Sequence, residues 1–129
     1  NNHPVVFGSR RLKKQKQFTH FLAFVGGSLL TMICNLLYRT HLSDQPTCYK
    51  MVRTDILKTL PLKENDFRFD PEITAMIALR GIPFAEYPVT YTPRSWKEGK
   101  KIVWQDWFKW VWVFLKLRFV PGKLLFKSN

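Results

Sequence analysis

Two basic stretches hold the side chains with the most chemistry to offer. The segment Arg94-Ser95-Trp96-Lys97-Glu98-Gly99-Lys100-Lys101 places one guanidinium and three ammonium groups around a glycine. Gripping a diphosphate needs that combination, a planar fork that meets two oxygens at once with mobile point charges beside it. An ordinary solvated charged loop has the same composition. Arg10 follows the short apolar run Val5-Val6-Phe7 and the pair Gly8-Ser9. If that run is a strand, Arg10 stands at its tip, where ligands of open α/β sheets gather. The stretch from Arg10 to Lys16 (RRLKKQK) reads either as an anion contact or as a solvated loop. Proton-transfer machinery is missing: no Ser-His-Asp set, no carboxylate pair beside a histidine and no phosphate-cradling glycine loop has usable spacing.

The elements that must position these groups are bounded by size. A chain of 129 residues, 46% of them apolar, can bury one modest core, which predicts a single α/β unit. A net charge of +12 predicts attraction to anions without separating nucleic acid, acidic headgroups and a pyrophosphate-bearing substrate. The five Trp and eleven Phe, many in runs beside Lys and Arg, suit the headgroup layer of a membrane. RNA-stacking surfaces are the other use of such residues. Cys34 and Cys48 lack C-x-x-C spacing or a paired histidine motif, so neither zinc nor redox chemistry is indicated, and free thiols in a reducing compartment are expected. The opening Asn1-Asn2-His3-Pro4 runs at once into an apolar strand, as a piece cut from a longer protein would.

Along the chain, Val5 to Phe7 predicts a buried strand, with Gly8 supplying a sharp exit. Phe18 to Tyr38 carries no formally charged side chain and as one helix would be long enough to cross a bilayer. Gly26-Gly27-Ser28 interrupts it, and His20 and Asn35 would need partners in lipid, so two helices lying along a membrane surface are expected, with a true span as the alternative. Thr47 to Val52 predicts a short strand, then a brief helix capped by Thr54 that runs to Thr59. Asp70 as cap, Pro71 as first residue, Glu72 against the dipole and Gly81 as stop mark a firmer helix. Ile82 to Tyr91 alternates like a strand, with Pro83 and Pro88 pushing it toward a sheet edge.

Trp104 to Val120 is too charged for a clean span and too aromatic for a solvated helix. It predicts an interfacial helix with Asp106, Lys109, Val113 and Lys116 on one face and Trp107, Trp110 and Phe114 on the next. Packing on the protein's own core, or a tilted entry into a membrane, are the competing views. Pro121-Gly122 ends it in each case.

Four motifs then combine: Val6-Phe7-Gly8-Ser9-Arg10; Asn35-Leu36-Leu37-Tyr38 leading to Ser43-Asp44-Gln45-Pro46-Thr47-Cys48-Tyr49-Lys50; Phe69-Asp70-Pro71-Glu72-Ile73; and Tyr91-Thr92-Pro93-Arg94 through Glu98-Gly99-Lys100-Lys101-Ile102. In this order and spacing they resemble the dolichyl-phosphate mannose synthase-like group of family 2 glycosyltransferases, which includes bacterial polyprenyl-phosphate sugar transferases. The resemblance implies the C-terminal part of a nucleotide-sugar glycosyltransferase fold, a mixed sheet with flanking helices, over residues 1–103. Residues 18–38 would be interfacial helices and residues 104–129 an amphipathic aromatic membrane tail.

It further implies Arg94 and Asp44 as catalytic residues and Arg94, Lys100 and Lys101 as the grip on the donor diphosphate. Arg10 and Lys50 would contact the acceptor phosphate, and Glu72 would line the site. Better-known members carry another arginine on the helix after the first motif, where this chain offers only His20 and the Lys13, Lys14 and Lys16 run. A divalent ion, Mg2+ or Mn2+, belongs to the complete enzyme. Its Asp-any-Asp ligands would precede Asn1, because no such motif occurs here.

The implied partners are a nucleotide sugar, a polyprenyl or dolichyl phosphate and the cytoplasmic face of a membrane, with no nucleic acid. The rivals are a non-catalytic basic module that binds membrane or RNA, and a family 2 transferase with a non-lipid acceptor.

Overall fold

The computed structural model describes residues 2–13, 21–92 and 104–126. In chain order its elements are β1 (Val5–Ser9), α1 (Phe21–Tyr38), β2 (Lys50–Val52), α2 (Thr54–Leu57), α3 (Phe69–Leu79), β3 (Phe84–Pro88), α4 (Trp104–Phe119) and α5 (Gly122–Leu125). This is a mixed α/β architecture. Among the described residues the sheet has the order β2-β1-β3. β1 pairs antiparallel with β2, from Val5 opposite Val52 to Phe7 opposite Lys50. It pairs parallel with β3, from Val5 opposite Phe84 to Ser9 opposite Pro88. A strand bonded on both sides must be apolar, and Val5 and Phe7 are fully buried in the core, with Phe7 stacked on Phe84 at 5.2 Å between ring centres.

Gly8 has a different task from the expected exit. It lies inside the ladder opposite Tyr87, and its N–H donates to the Tyr49 carbonyl at 2.7 Å. A Cβ there would sit 2.7 Å from Val89 Cγ1 and 2.8 Å from Tyr49 Cβ. Only a residue without a side chain lets these two segments close over the strand.

α1 corrects a second expectation, because it runs unbroken through Gly26-Gly27-Ser28. The glycines serve close approach. The Trp107 indole donates to the Gly26 carbonyl at 2.9 Å, and Gly27 lies against Pro46 and the Arg11 guanidinium. One side of α1 buries Leu30, Thr31 and Cys34. Its polar groups find protein partners: Asn35 exchanges hydrogen bonds with the backbone of Leu42, and the Tyr38 hydroxyl donates to the Phe114 carbonyl at 2.7 Å. The other side leaves Phe21, Leu22, Met32 and Leu36 exposed. By length and composition α1 could cross a bilayer; in the fold it is half of a helix layer. Both cysteines are free, and burial pushes the Cys34 thiol up to about 12.

The short helices depart from their predicted caps. Thr54 is the first residue of α2 and no side chain caps it; the helix ends at Leu57, before Thr59. α3 begins at Phe69, without a side-chain cap, because the Asp70 carboxylate is engaged elsewhere. Its end follows the sequence signal. Gly81 adopts φ +63°, with its N–H on the Ala78 carbonyl and that of Ile82 on the Ile77 carbonyl, the paired bonds of a Schellman stop.

α4 packs on α1 and α3. Asp106, Trp110, Val113, Phe114 and Leu117 are buried, so the buried side draws on both of the neighbouring faces expected from the sequence. α4 thus contributes to the core shared with α1 and α3. Its outer side exposes Trp104, Phe108, Trp112, Leu115 and Phe119 at helical spacing.

Two glycines separate these roles experimentally. Gly8→Ala forces contacts that neither neighbour can vacate easily and should cost about 1–3 kcal/mol. A Cβ on Gly26 meets Trp107 at 3.6 Å, an ordinary contact, so Gly26→Ala should add about 0.5–1 kcal/mol by removing backbone freedom from the unfolded chain. Urea unfolding of the two variants checks both signs.

Candidate functional site

The loop from Arg39 to Tyr49 folds back over the end of β1, and α1, β1 and β3 hold it. Arg39 turns the chain out of α1 with φ 53°. Asn35 fixes Leu42 and accepts the Thr40 hydroxyl at 2.8 Å. From β3, the Glu86 carboxylate accepts the Ser43 N–H at 2.9 Å and the Asp44 N–H at 3.4 Å. The Ser9 and Ser43 hydroxyls meet at 2.7 Å, and the Gln45 N–H donates to Thr31 Oγ1 on α1 at 3.1 Å. A loop with so many tied amides can place one side chain accurately.

That side chain is Asp44. It is fully buried and accepts the Arg10 fork on both oxygens, Nε to Oδ2 at 2.7 Å and Nη2 to Oδ1 at 2.8 Å, with the Arg10 N–H adding a third bond at 2.9 Å. Burial alone would raise the carboxyl's pKa, but the hydrogen bonds and charge of Arg10, with help from Arg11, hold it below the usual carboxylate range. The Arg10 guanidinium also donates to the Pro46 carbonyl at 3.4 Å and lies over the Tyr91 ring at 5.0 Å. Both oxygens of Asp44, the residue expected as catalytic, are turned to Arg10.

Lys50 is likewise turned inward from its edge strand. Its ammonium donates to the carbonyls of Gln45 at 3.1 Å and Thr47 at 2.6 Å and to Asp70 Oδ1 at 2.5 Å, and it lies over the Phe7 ring. These bonds engage its three protons, and its side chain is 5% exposed. Lys50, expected to contact the acceptor phosphate, here ties the loop to Asp70 of α3. Asp70 also accepts the Gln45 amide at 3.4 Å; burial pushes its carboxyl up against the pull of Lys50. Glu72, expected to line the site, is buried and accepts the N–H groups of Lys63 and Glu64, tying the segment before α3 to that helix.

None of these carboxylates fits a metal. Among the described residues no group of three or more His, Cys, Asp or Glu side chains could hold an ion. Asp44 and Asp70 are bonded to cations, and Glu72 and Glu86 to backbone amides. Arg94, Lys100 and Lys101 lie outside the described residues, as do Lys14, Lys16 and His20. The chain leading to the basic segment is described as far as Thr92. Lys13 donates to Thr90 Oγ1 at 3.0 Å, and Tyr91 lies beneath Arg10.

No protein-family model, curated protein or solved structure matches the chain. The arrangement itself offers an arginine locked in orientation at the tip of the central strand, with buried carboxylates that hold cations and loops. Among the described residues its buried carboxylates are all engaged by cations or backbone amides.

Sequence reasoning missed Glu86, Ser9, Ser43 and Thr31. The signal for Glu86 was available, since a carboxylate inside the strand-like Ile82 to Tyr91 run demands a partner. Ser9 and Ser43 stand in the motifs without a role of their own, and Thr31 carried no signal, because serine and threonine are common in loops and helices.

Asp44→Asn should destabilise the protein by roughly 3 kcal/mol at pH 7, toward the lower end for a broken buried pair because Arg10 is 21% exposed. The folded carboxyl is depressed, so its contribution is complete above the unfolded value near pH ~4 and is lost as pH falls through the folded value. Denaturant titrations from pH 6 to pH 2 should show this acid-dependent component in the wild type and not in Asp44→Asn.

Proposed function

We propose that this chain is the C-terminal part of a family 2 glycosyltransferase that moves a sugar from a nucleotide donor to a polyprenyl or dolichyl phosphate, at the cytoplasmic face of a membrane. The observation that carries the reading is the meeting of Arg10 with Tyr91. The motif assigned to the acceptor phosphate touches the strand exit that leads, three residues on, into the Arg94 to Lys101 segment assigned to the donor diphosphate.

The chemistry follows from the acceptor. A phosphate monoester is largely ionised near pH 7, with its second pKa near ~6, and needs no strong base. Its oxygen attacks the anomeric carbon from the face opposite the diphosphate, the bond to the nucleoside diphosphate breaks, and the configuration inverts. Arg94, with Lys100 and Lys101, would stabilise the charge gathering on the leaving group. A buried, arginine-bound Asp44 is consistent with a reaction that asks for placement and no proton acceptor. The family's divalent ion finds no fitting ligand set among the described carboxylates.

The helix layer supports the membrane part. The exposed side of α4 combines Trp104, Phe108 and Trp112 with Leu115 and Phe119, and α1 beside it exposes Phe21, Leu22, Met32 and Leu36. Aromatic and aliphatic side chains in stripes on a protein of net charge +12 suit an anionic headgroup layer. The same stripes favour a second reading, a non-catalytic basic membrane module.

The intact protein, given a panel of nucleotide sugars and a short polyprenyl phosphate, should form a glycosyl-phospholipid, and Arg94→Lys should lower turnover about a hundredfold because an ammonium cannot reproduce a bidentate fork. Absence of transfer from every donor, with vesicle binding intact, would leave the module reading. Phe108→Gln with Trp112→Gln should release the protein from anionic vesicles in flotation while leaving its melting temperature nearly unchanged; retention on the vesicles would remove α4 from the docking surface.

A further inference from the structure

One buried donor in the helix layer has nothing to bond. Trp110 is 4% exposed, and among the described residues its indole Nε1 finds no hydrogen-bond partner. A tryptophan that deep in a core usually finds an acceptor. Its neighbours in the layer do, Trp107 on the Gly26 carbonyl and Tyr38 on the Phe114 carbonyl. Trp110 instead lines a cleft of about 60 Å³, walled by Asp66, Phe67 and Arg68 from the turn that enters α3 and by Asp106 and Lys109 from the first turns of α4. Such a space takes more than one water-sized group. None of these residues takes part in the surface around Arg10 and Asp44.

The charges around the cleft are already matched. Arg68 Nε donates to both oxygens of Asp66 at 3.0 Å, and the Lys109 ammonium donates to Asp106 Oδ1 at 3.3 Å. A charged ligand would have to break one of these pairs, and would meet its own sign beside every opposite one. That disfavours phosphate, carboxylates and ammonium ions alike. The indole N–H calls for an acceptor, while ionised carboxylates accept and never donate, so the same ligand must also bring donors. A hydroxyl does both. Two hydroxyls on neighbouring carbons match the paired oxygens and nitrogens of carboxylate and guanidinium. Phe67, 47% exposed, offers an aromatic face to the C–H side of a ring.

We propose that this cleft binds a neutral sugar ring, with one hydroxyl on the Trp110 indole N–H and a neighbouring one on the Asp106 carboxylate. The site stands on its own residues and does not rest on the transferase reading. In an enzyme that handles sugars it is a holding site for carbohydrate, apart from the reacting centre.

The test is titration of the intact protein with methyl glucoside, methyl mannoside and methyl galactoside, followed by the indole N–H resonances of its five Trp. Trp110→Phe keeps a ring in the core and identifies the Trp110 signal by its loss. That signal should move saturably below about 100 mM of at least one glycoside, as for a millimolar dissociation constant, while the other indoles stay in place. Read from the backbone resonances of Arg68 and Lys109, Trp110→Phe should weaken binding about threefold to tenfold, the loss of one hydrogen bond. Lys58→Gln should change nothing. If the melting temperature shows that Trp110→Phe does not fold, Phe67→Ala at its exposed position should give a similar loss.

No saturable movement with any of the three glycosides overturns the proposal and leaves the cleft to water. An equal response to sodium phosphate, sodium acetate or N-methylacetamide overturns it too, since each brings an acceptor without neighbouring hydroxyls. So does binding undiminished in a folded Trp110→Phe, or in Phe67→Ala where that variant replaces it. Glycoside binding without transfer from any donor keeps this site and removes the transferase, and transfer without glycoside binding does the reverse.

Discussion

The buried pair between Asp44 and Arg10 is the constraint on which the surface above β1 depends. A carboxylate removed from water is costly unless its oxygens are fully bonded, and here one arginine fork and one amide supply the bonds. The pairing works only if the Ser43 to Thr47 loop returns to the strand tip, which explains the investment of Asn35, Thr31 and Glu86 in tying backbone amides. Each of these contacts by itself contributes roughly 1 kcal/mol. Together they convert a connection between a helix and a strand into a rigid platform, while Lys50 and Asp70 brace it from below.

The helix layer solves a second problem. α1 and α4 each carry apolar residues on two sides, and one side of each closes the core over β1 and α3. Gly26 and Gly27 allow α4 and the loop to approach α1 closely, and Trp107 exploits that approach with a hydrogen bond to a helix carbonyl. The remaining apolar sides have no cover among the described residues. Patches of this kind are characteristic of interaction surfaces.

Much of this was legible from local pattern. β1, β2, α3 with its glycine stop and the edge position of β3 follow from period, proline placement and φ > 0 chemistry. Gly26-Gly27 was misread because glycine weakens an isolated helix, while here tertiary contact rewards the missing side chains. Gly8 was misread for the same reason, since close approach is invisible until the partner segment is placed. At the site, types were readable and directions were not. Lys50 and Arg10 are both cations in matching motifs, yet one faces Asp70 under the loop and the other reaches the surface.

That difference in direction bears on how such a surface can handle phosphate. An arginine locked to a carboxylate gains orientation and loses part of its field, so Arg10 alone attracts a dianion weakly at long range but meets it without rearrangement. Arg11 has a different setting: it lies over the Phe24 ring, and among the described residues no carboxylate meets its guanidinium. In the proposed function the two would divide the work of binding, Arg11 supplying attraction and Arg10 geometry. A surface built only of paired arginines would orient a phosphate it rarely captured, and one built only of unpaired arginines would capture it in many poses. Arg10 and Arg11 are adjacent in the chain, one turned toward the loop and the other toward α1, and in the proposed function this short segment would combine both properties.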